Sequence, residues 1–315
     1  MDLKTIHHFL IAKFFVKENF LYKKRWQKAY NKLMQTNETI ETKLHGFTAT
    51  IPANYQYPFF IRQFPKYNNP IIEIVYQQYK ALNRPVNFVD VGTAVADTVL
   101  LVMANCPNMI NNILCIDGDS EFIAFAKKNI AQFNNSKAVQ YLLSDSASQI
   151  STLVRHHQNS ASALGETKVP ALPLDEVCQL ENFNAVDVLK IDVDGFDGKV
   201  LAGSSQILKN NTPIVIFEWH PKLYNNTSNS ISLPFQVLSN NGYNKFIWFD
   251  KFGNYSHFVL DECKDAYLSL QARICLEATF DSDWHYDVVA LHSNSKIDII
   301  SLANSDYSKN KKVPH

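Results

Sequence analysis

Glycine is scarce in this chain, 9 in 315 residues, and none completes the G-x-G-x-x-G spacing that seats a pyrophosphate at a helix N-terminus. A bound dinucleotide is therefore disfavoured. Charge of one sign is missing too: 30 Lys and Arg balance 30 Asp and Glu, so the chain as a whole is no polyanion binder and no nucleic-acid partner is expected. The 5 Cys are odd in number and show no C-x-x-C or Cys/His ligand spacing, which implies unpaired thiols in a reducing compartment. No run of about 18 apolar residues occurs, which excludes a spanning helix. The first residues lack a contiguous apolar core followed by a small-residue cleavage site, so the expected location is cytoplasmic.

With 46% hydrophobic and 19% charged residues the composition is globular, and the length suffices for one large α/β domain with an added segment. Charge is unevenly spread. Residues 1–36 hold Lys4, Lys13, Lys17, Lys23, Lys24, Arg25, Lys28 and Lys32 against Asp2 and Glu18. Between them Ile6, Phe9, Leu10, Phe14, Val16, Phe20 and Leu21 recur at broadly helical period. Two readings fit: helices docked on the main domain, or a basic amphipathic surface in peripheral contact with an anionic membrane. His7 and His8 in this segment read as solvated. The aromatic, Pro-rich stretch GFTATIPANYQYPFFIRQFPKYNNP, 46–70, reads as irregular chain or short strands.

From residue 71 the pattern becomes strand–helix alternation. Helices are expected over 71–82, 97–104, 120–133, 197–209 and 231–241, and strands over 86–92, 112–119, 138–145, 186–194 and 212–221. Two later strands, in NKFIWFDKFGNY and YDVVALH, are expected to pair antiparallel at one edge. Such alternation predicts a Rossmann-like, doubly wound, mostly parallel α/β sheet. The expected organisation is a helical and irregular extension over 1–70, the α/β domain over 71–295, and a polar, disordered tail over 296–315.

In an open α/β sheet, ligands bind beyond the carboxyl ends of the strands. There the sequence places Asp90, Gly92, Thr93, Ala94 and Asp97, then Asp117 and Gly118, then Ser144 and Asp145, then Asp192 and Asp194, and finally Glu218 and His220. Every strand ends in an acid. A phosphate would want amides and cations at such a rim; an acidic rim suits hydroxyls and positive charge. S-adenosylmethionine has a ribose, an adenine and a sulfonium cation but no phosphate, and Asp117 can accept hydrogen bonds from both ribose hydroxyls. Asp119, just before the helix from Ser120, reads instead as a helix cap. Asp192 and Asp194 end an otherwise apolar strand, where an unpartnered carboxylate costs several kcal/mol or must hold a proton. They read as functional. Strand alternation would put both on one face, with Glu218 and His220 on one face of the neighbouring strand.

The segments VNFVDVGTAVADT, NILCIDGDSEFIAFAKKNI and LKIDVDGFDGKVLAGSSQIL…PIVIFEWH together resemble the FkbM family of S-adenosylmethionine-dependent methyltransferases, over roughly residues 71–292. The family's fourth-strand motif, KIDVEGxE, is the most specific part; Lys190 to Asp197 match it with both Glu shortened to Asp. The resemblance implies a class I methyltransferase fold and S-adenosylmethionine held at the first three strand ends. It also implies methyl transfer to a hydroxyl on a sugar, glycan or small-molecule acceptor, beside Asp192, Asp194, Glu218 and His220. The first turn departs from the family's DVGANxGD, with Ala94 and Ala96 in place of Asn and Gly. Ala fits a glycine position only where φ is negative. The four acceptor-side groups could also hold a divalent cation, although none is predicted. The rival class is a non-catalytic descendant of the fold, docking through its basic N-terminus. A nicotinamide-dependent sugar enzyme is opposed by the missing phosphate turn.

Overall fold

The computed structural model describes residues 2–12, 20–151, 154–157, 160–162, 168–279, 281 and 283–303. Of the tail expected to be disordered over 296–315, residues 296–303 instead carry a short helix, Ile299–Ala303, with Ile297 and Leu302 buried; the tail beyond 303, Phe14 and Val16, and the side chains of Phe20 and Leu21 lie outside that description. Helices α1 (Leu3–Ala12) and α2 (Phe20–Met34) lead into a hairpin of β1 (Thr39–Leu44) and β2 (Phe47–Pro52). β1 alternates strictly, Ile40, Thr42 and Leu44 inward, as a strand with one solvated face does. Ile6, Leu10, Trp26 and Leu33 are buried in one cluster with Ile51, Tyr57, Phe59, Val95 and Leu100. These apolar positions of α1 and α2 thus face the protein, which supports docking rather than a membrane-facing stripe. His7 is buried rather than solvated, its ring edge-on to Phe59, and burial lowers its pKa to about 4. Among the described residues no helix is long and apolar enough to cross a membrane.

After α3 (Tyr57–Gln63) and α4 (Asn69–Leu82) comes the main sheet, built on five parallel strands. These include β3 (Val86–Val91), β4 (Ile110–Asp117) and β5 (Ser136–Gln140). Two small antiparallel ladders follow, β6 (Ser148–Ser151) with β9 (Lys168–Ala171) and β7 (Val154–His157) with β8 (Ser160–Ser162). Then β10 (Val188–Ile191) and β11 (Ile214–Trp219) complete the parallel set. β12 (Tyr243–Asp250), β13 (Tyr255–Leu260) and β14 (Tyr286–His292) finish the sheet in the order β13-β12-β14-β11-β10-β3-β4-β5. The order reverses between β3 and β10, the switch point at which such sheets bind ligands.

The sheet is covered on both faces, which is why its central strands read as nearly unbroken apolar runs. Val89, Val91, Leu189, Ile191, Val215 and Phe217 pack under α7 (Leu174–Leu180), α8 (Asp197–Ala202), α9 (Ser205–Asn210), α10 (Pro221–Asn226), α11 (Leu233–Asn240) and α12 (Asp265–Leu276). Phe88, Val188, Ile214 and Ile216 face α4, α5 (Asp97–Asn105), α6 (Ser120–Ile130) and α13 (Ile299–Ala303).

Several boundaries differ from expectation. β10 ends at Ile191, so Asp192 and Asp194 sit in the following turn, and Asp194 is left-handed at φ 51°. They do not share a strand face. β5 ends at Gln140, which leaves Ser144 and Asp145 on the next segment, where the Ser144 amide donates to Leu172 O at 3.0 Å. The expected helix 197–209 breaks at Gly203, where a Cβ would lie 2.2 Å from Ser144 O. β12 and β14 do pair antiparallel, but β14 is interior and β13 takes the edge. Ala96, in the glycine position, has φ 65° where the sequence reading required a negative value, and Ala94, in the asparagine position, is also left-handed at 45°.

Candidate active site

A cavity of about 920 Å³ opens at the carboxyl ends of β3, β4, β10 and β11. Gly92, Ala94, Asp97, Asp117, Gly118, Asp192, Asp194, Glu218 and His220 all line it. Asp90, Thr93, Ser144 and Asp145 do not. Asp90 is fully buried beneath the rim, accepting from Thr93 Oγ1 at 2.9 Å, while Ser144 Oγ donates to Asp145 Oδ1 at 3.0 Å.

On one side, Gly92 (φ 75°) brings two backbone turns into contact: a Cβ there would lie 1.8 Å from Asp192 O. No other residue fits. Asp117 ends β4, and its carboxylate accepts the amides of Ala94 and Asp119, each at 2.9 Å. Burial outweighs these donors and pushes its pKa up to about 6. Each oxygen retains a second lone pair for a further donor. Asp119 caps α6, accepting from the Glu121 and Phe122 amides. Asp97 begins α5; its Oδ1 accepts the Thr98 amide at 2.7 Å and its Oδ2 the Tyr55 hydroxyl at 2.6 Å.

On the other side, Lys190 accounts for the charge inside β10. It stands directly beside Asp90 in the β3–β10 register, and its Nζ lies 3.2 Å from Asp90 Oδ1 and 3.3 Å from Asp192 Oδ2. Burial opposes the ammonium, but the Asp90 and Asp192 carboxylates outweigh it and hold the lysine pKa above its usual value. Glu218 and Asp287 oppose each other across β11 and β14. Burial, then Asp192, Asp194, Asp197 and Asp287, hold the Glu218 pKa well above the usual carboxylate range. Burial and Asp192 push Asp287 up to about 7. The same surroundings favour the protonated form of Glu218, whose Oε1 lies 3.3 Å from His285 Nε2.

His220 Nε2 is 3.0 Å from Asp283 Oδ1, which assigns the Nε2–H tautomer; its Nδ1 is buried and, among the described residues, has no hydrogen-bond partner. His285 stacks on it with ring centroids 4.7 Å apart and places Nδ1 2.8 Å from Asp283 O, as a donor. Burial lowers the His285 pKa to about 4. His220, Asp283 and His285 each hold a ligand atom within 4.8 Å of the others, a spacing a divalent cation could use. A cation already sits there: Lys251 Nζ lies 3.0 Å from Asp283 Oδ2 and 3.2 Å from Asp281 Oδ2.

Tyr55, Tyr57, Phe60 and Tyr67 wall the cavity from the segment after β2. Tyr67 packs against Tyr57 and Phe60 with centroids 5.9 and 5.6 Å away. Sequence reasoning missed this wall, together with Lys251, Asp283 and His285. The aromatic density of 46–70 was the available signal for the first; nothing local marked the others.

Residues 90–245 match the family model described as the methyltransferase FkbM domain. Among curated proteins none matches the sequence. Solved structures similar to this chain include the methyltransferase FkbM from Methylobacillus flagellatus KT, at 11% identity and TM-score 0.44, covering 84% of this chain and 59% of that one. The chain thus spans less than two thirds of that relative. The METTL16 MTase domain is similar at 12% identity and TM-score 0.44, covering 92% and 80%. An O-methyltransferase from Bacillus cereus, solved in complex with SAH, is similar at 12% identity and TM-score 0.37, covering 71% and 79%.

Proposed function

We propose that this chain, which belongs to the FkbM methyltransferase family through its domain at residues 90–245, methylates a hydroxyl oxygen of a sugar, glycan or related small molecule. S-adenosylmethionine, the donor, supplies an electrophilic methyl group on a sulfonium. One observation carries the reading: a single cavity joins the Gly92 turn and Asp117 to Asp192, Glu218 and His220. The donor side fits that cofactor. Gly92 leaves its turn without a side chain, and Asp117 keeps lone pairs for a ribose.

On the acceptor side, Lys190 fixes Asp192 so that it can accept a hydrogen bond from the hydroxyl. His220, turned by Asp283, lines the cavity as the group left to take the proton, and Glu218, whose protonated form burial and its acidic neighbours favour, serves as a donor rather than a base. Alignment of acceptor and methyl group can supply on the order of 7–11 kcal/mol of the barrier, and proton removal about 10²–10⁴ in rate. The Lys251 ammonium already pairs with Asp283, the carboxylate of that His220, Asp283 and His285 group, and the reading uses no metal. Five unpaired, buried thiols support a reducing, cytoplasmic setting.

A second reading, a fold kept without catalysis, is favoured by the left-handed Ala94 and Ala96 in the first turn. Calorimetric titration with S-adenosylmethionine separates the two, and methyl-labelled donor with a panel of glycosides tests the first in full. Label recovered on a hydroxyl oxygen, borne by a ring carbon or exocyclic, is expected. No heat of binding, or label on nitrogen, would overturn the proposal.

A further inference from the structure

Tyr55 lies outside the family-matched segment, yet its hydroxyl enters the cofactor side of the cavity. The hairpin fixes its backbone: the Tyr55 amide donates to Pro52 O at 3.0 Å and the Ala53 amide to Glu38 O at 2.8 Å. The side chain is 4% exposed and donates to Asp97 Oδ2 at 2.6 Å, a short, charge-assisted bond. Asp97 in turn lines the cavity beside Gly92 and Ala94. A buried carboxylate at the cavity wall, held by one phenol and one amide, is a ready counter-charge for a cation entering there.

We propose that Tyr55 is a positioning residue for the methyl donor: its hydroxyl fixes the Asp97 carboxylate as the counter-charge for the ammonium group of S-adenosylmethionine. The inference rests on the methyl-donor reading above and adds to it a residue from the N-terminal extension. The groups facing Asp97 are few. Tyr55, Tyr57 and Tyr67 approach from the segment after β2; burial first, and Asp97 next or further down, hold all three phenols well above their usual pKa, so they stay neutral donors. Asp90 and Lys190 approach from β3 and β10, one opposing the Asp97 charge and the other favouring it. Burial pushes Asp97 up to about 6, against the Tyr55 hydrogen bond, which lowers it. The ammonium contact therefore strengthens as pH rises through that value, and loss of the phenol must move the transition upward.

The test is calorimetric titration of the full chain with S-adenosylmethionine between about pH 5.5 and 8, for the wild type and Tyr55→Phe, with thermal melts of both. A shift of about one pH unit, conservative for a charge-assisted bond, makes the ratio of variant to wild-type Kd about fivefold at pH 6, about twofold at pH 7 and near one at pH 8. 5′-Methylthioadenosine keeps the ribose, and with it any pH dependence from Asp117, but lacks the ammonium; the ratio of its wild-type Kd to that of S-adenosylmethionine should therefore rise as pH rises through about 6, and this arm holds even if the variant fails to fold. A Kd ratio that stays constant across pH would make Tyr55 structural and sink the inference alone. A methylthioadenosine-to-S-adenosylmethionine Kd ratio that stays constant across pH would remove Asp97 as the ammonium's partner. Failure of the wild type to bind S-adenosylmethionine at any pH would overturn the methyl-donor reading as well.

Discussion

Lys190→Met should destabilise the protein mainly by leaving Asp90 without its partner, and the loss should depend on pH. Asp90 is 0% exposed, and Lys190 is its only cation, at 3.2 Å, among the described residues. Breaking a buried pair from one side costs about 3–5 kcal/mol, because the remaining charge is uncompensated. The second carboxylate on the lysine, Asp192, is 45% exposed and can be solvated instead. Burial already raises the Asp90 pKa above its ordinary 3.8, opposed chiefly by Lys190, so removal of the lysine raises it further. The sign follows. A carboxyl with a raised folded pKa binds protons more readily when folded, so its stability contribution is greatest below its unfolded pKa and is lost as pH rises through the folded one. The variant should therefore lose about 3–5 kcal/mol at pH 8 and visibly less at pH 5, read as the difference from wild type in urea unfolding followed by two probes. Glu218 cancels in that difference to first order, whereas Asp97 and Asp287 also lose the favouring Lys190 charge and shift upward, adding to the pH dependence with the same sign. Adding Asp90→Asn, which removes the charge but keeps an oxygen for Thr93, should recover at least half of the pH 8 loss. A loss under about 1 kcal/mol, or one equal at both pH values, would show that the pair contributes packing and not charge.

Asp117→Ala should weaken S-adenosylmethionine binding by about 1.5–3 kcal/mol in calorimetry, the range for hydrogen bonds to a charged group, with circular dichroism confirming the fold. Asp283→Asn should lower kcat by about 10²-fold or more while the donor Kd stays within a few-fold, because it frees His220 without touching the donor side; equal kcat would remove His220 as the base. Ala94→Gly should raise stability by about 0.5–1 kcal/mol in thermal melts, since Ala94 is half-buried and left-handed. Ala96→Gly should give less, because its fully buried methyl is worth about 0.8 kcal/mol.

The parallel half of the sheet was legible because strands covered on both faces leave apolar runs that punctuation by Gly, Asp and Asn delimits. Strand ends were less so. Asp192 and Asp194 continue the apolar rhythm of β10 in sequence, and only the left-handed φ at Asp194 and Gly195 shows that the ladder has stopped. β13 escaped because an edge strand needs no buried face: its Tyr255, Phe258 and Leu260 are exposed. β1 carried a period-two signal in Ile40, Thr42 and Leu44 that the adjoining basic segment obscured.

The site was half legible, for a topological reason. Inspecting the residues after each strand works where strands are parallel, and it found Gly92, Asp117, Asp192 and Glu218. β14 runs antiparallel between β11 and β12, with Tyr286 opposite both Trp219 and Asp250. Its beginning, not its end, lies at the rim, and so Asp283 and His285 arrive beside His220 from the residues before the strand. Lys251 obeys the ordinary rule, following β12, but β12 was expected at an edge remote from the switch point. The aromatic wall obeys no strand rule, since Tyr55 to Tyr67 come from α3 and the chain around it, after the hairpin. In an open sheet with an antiparallel insertion, the residues preceding that strand belong among the candidates from the start.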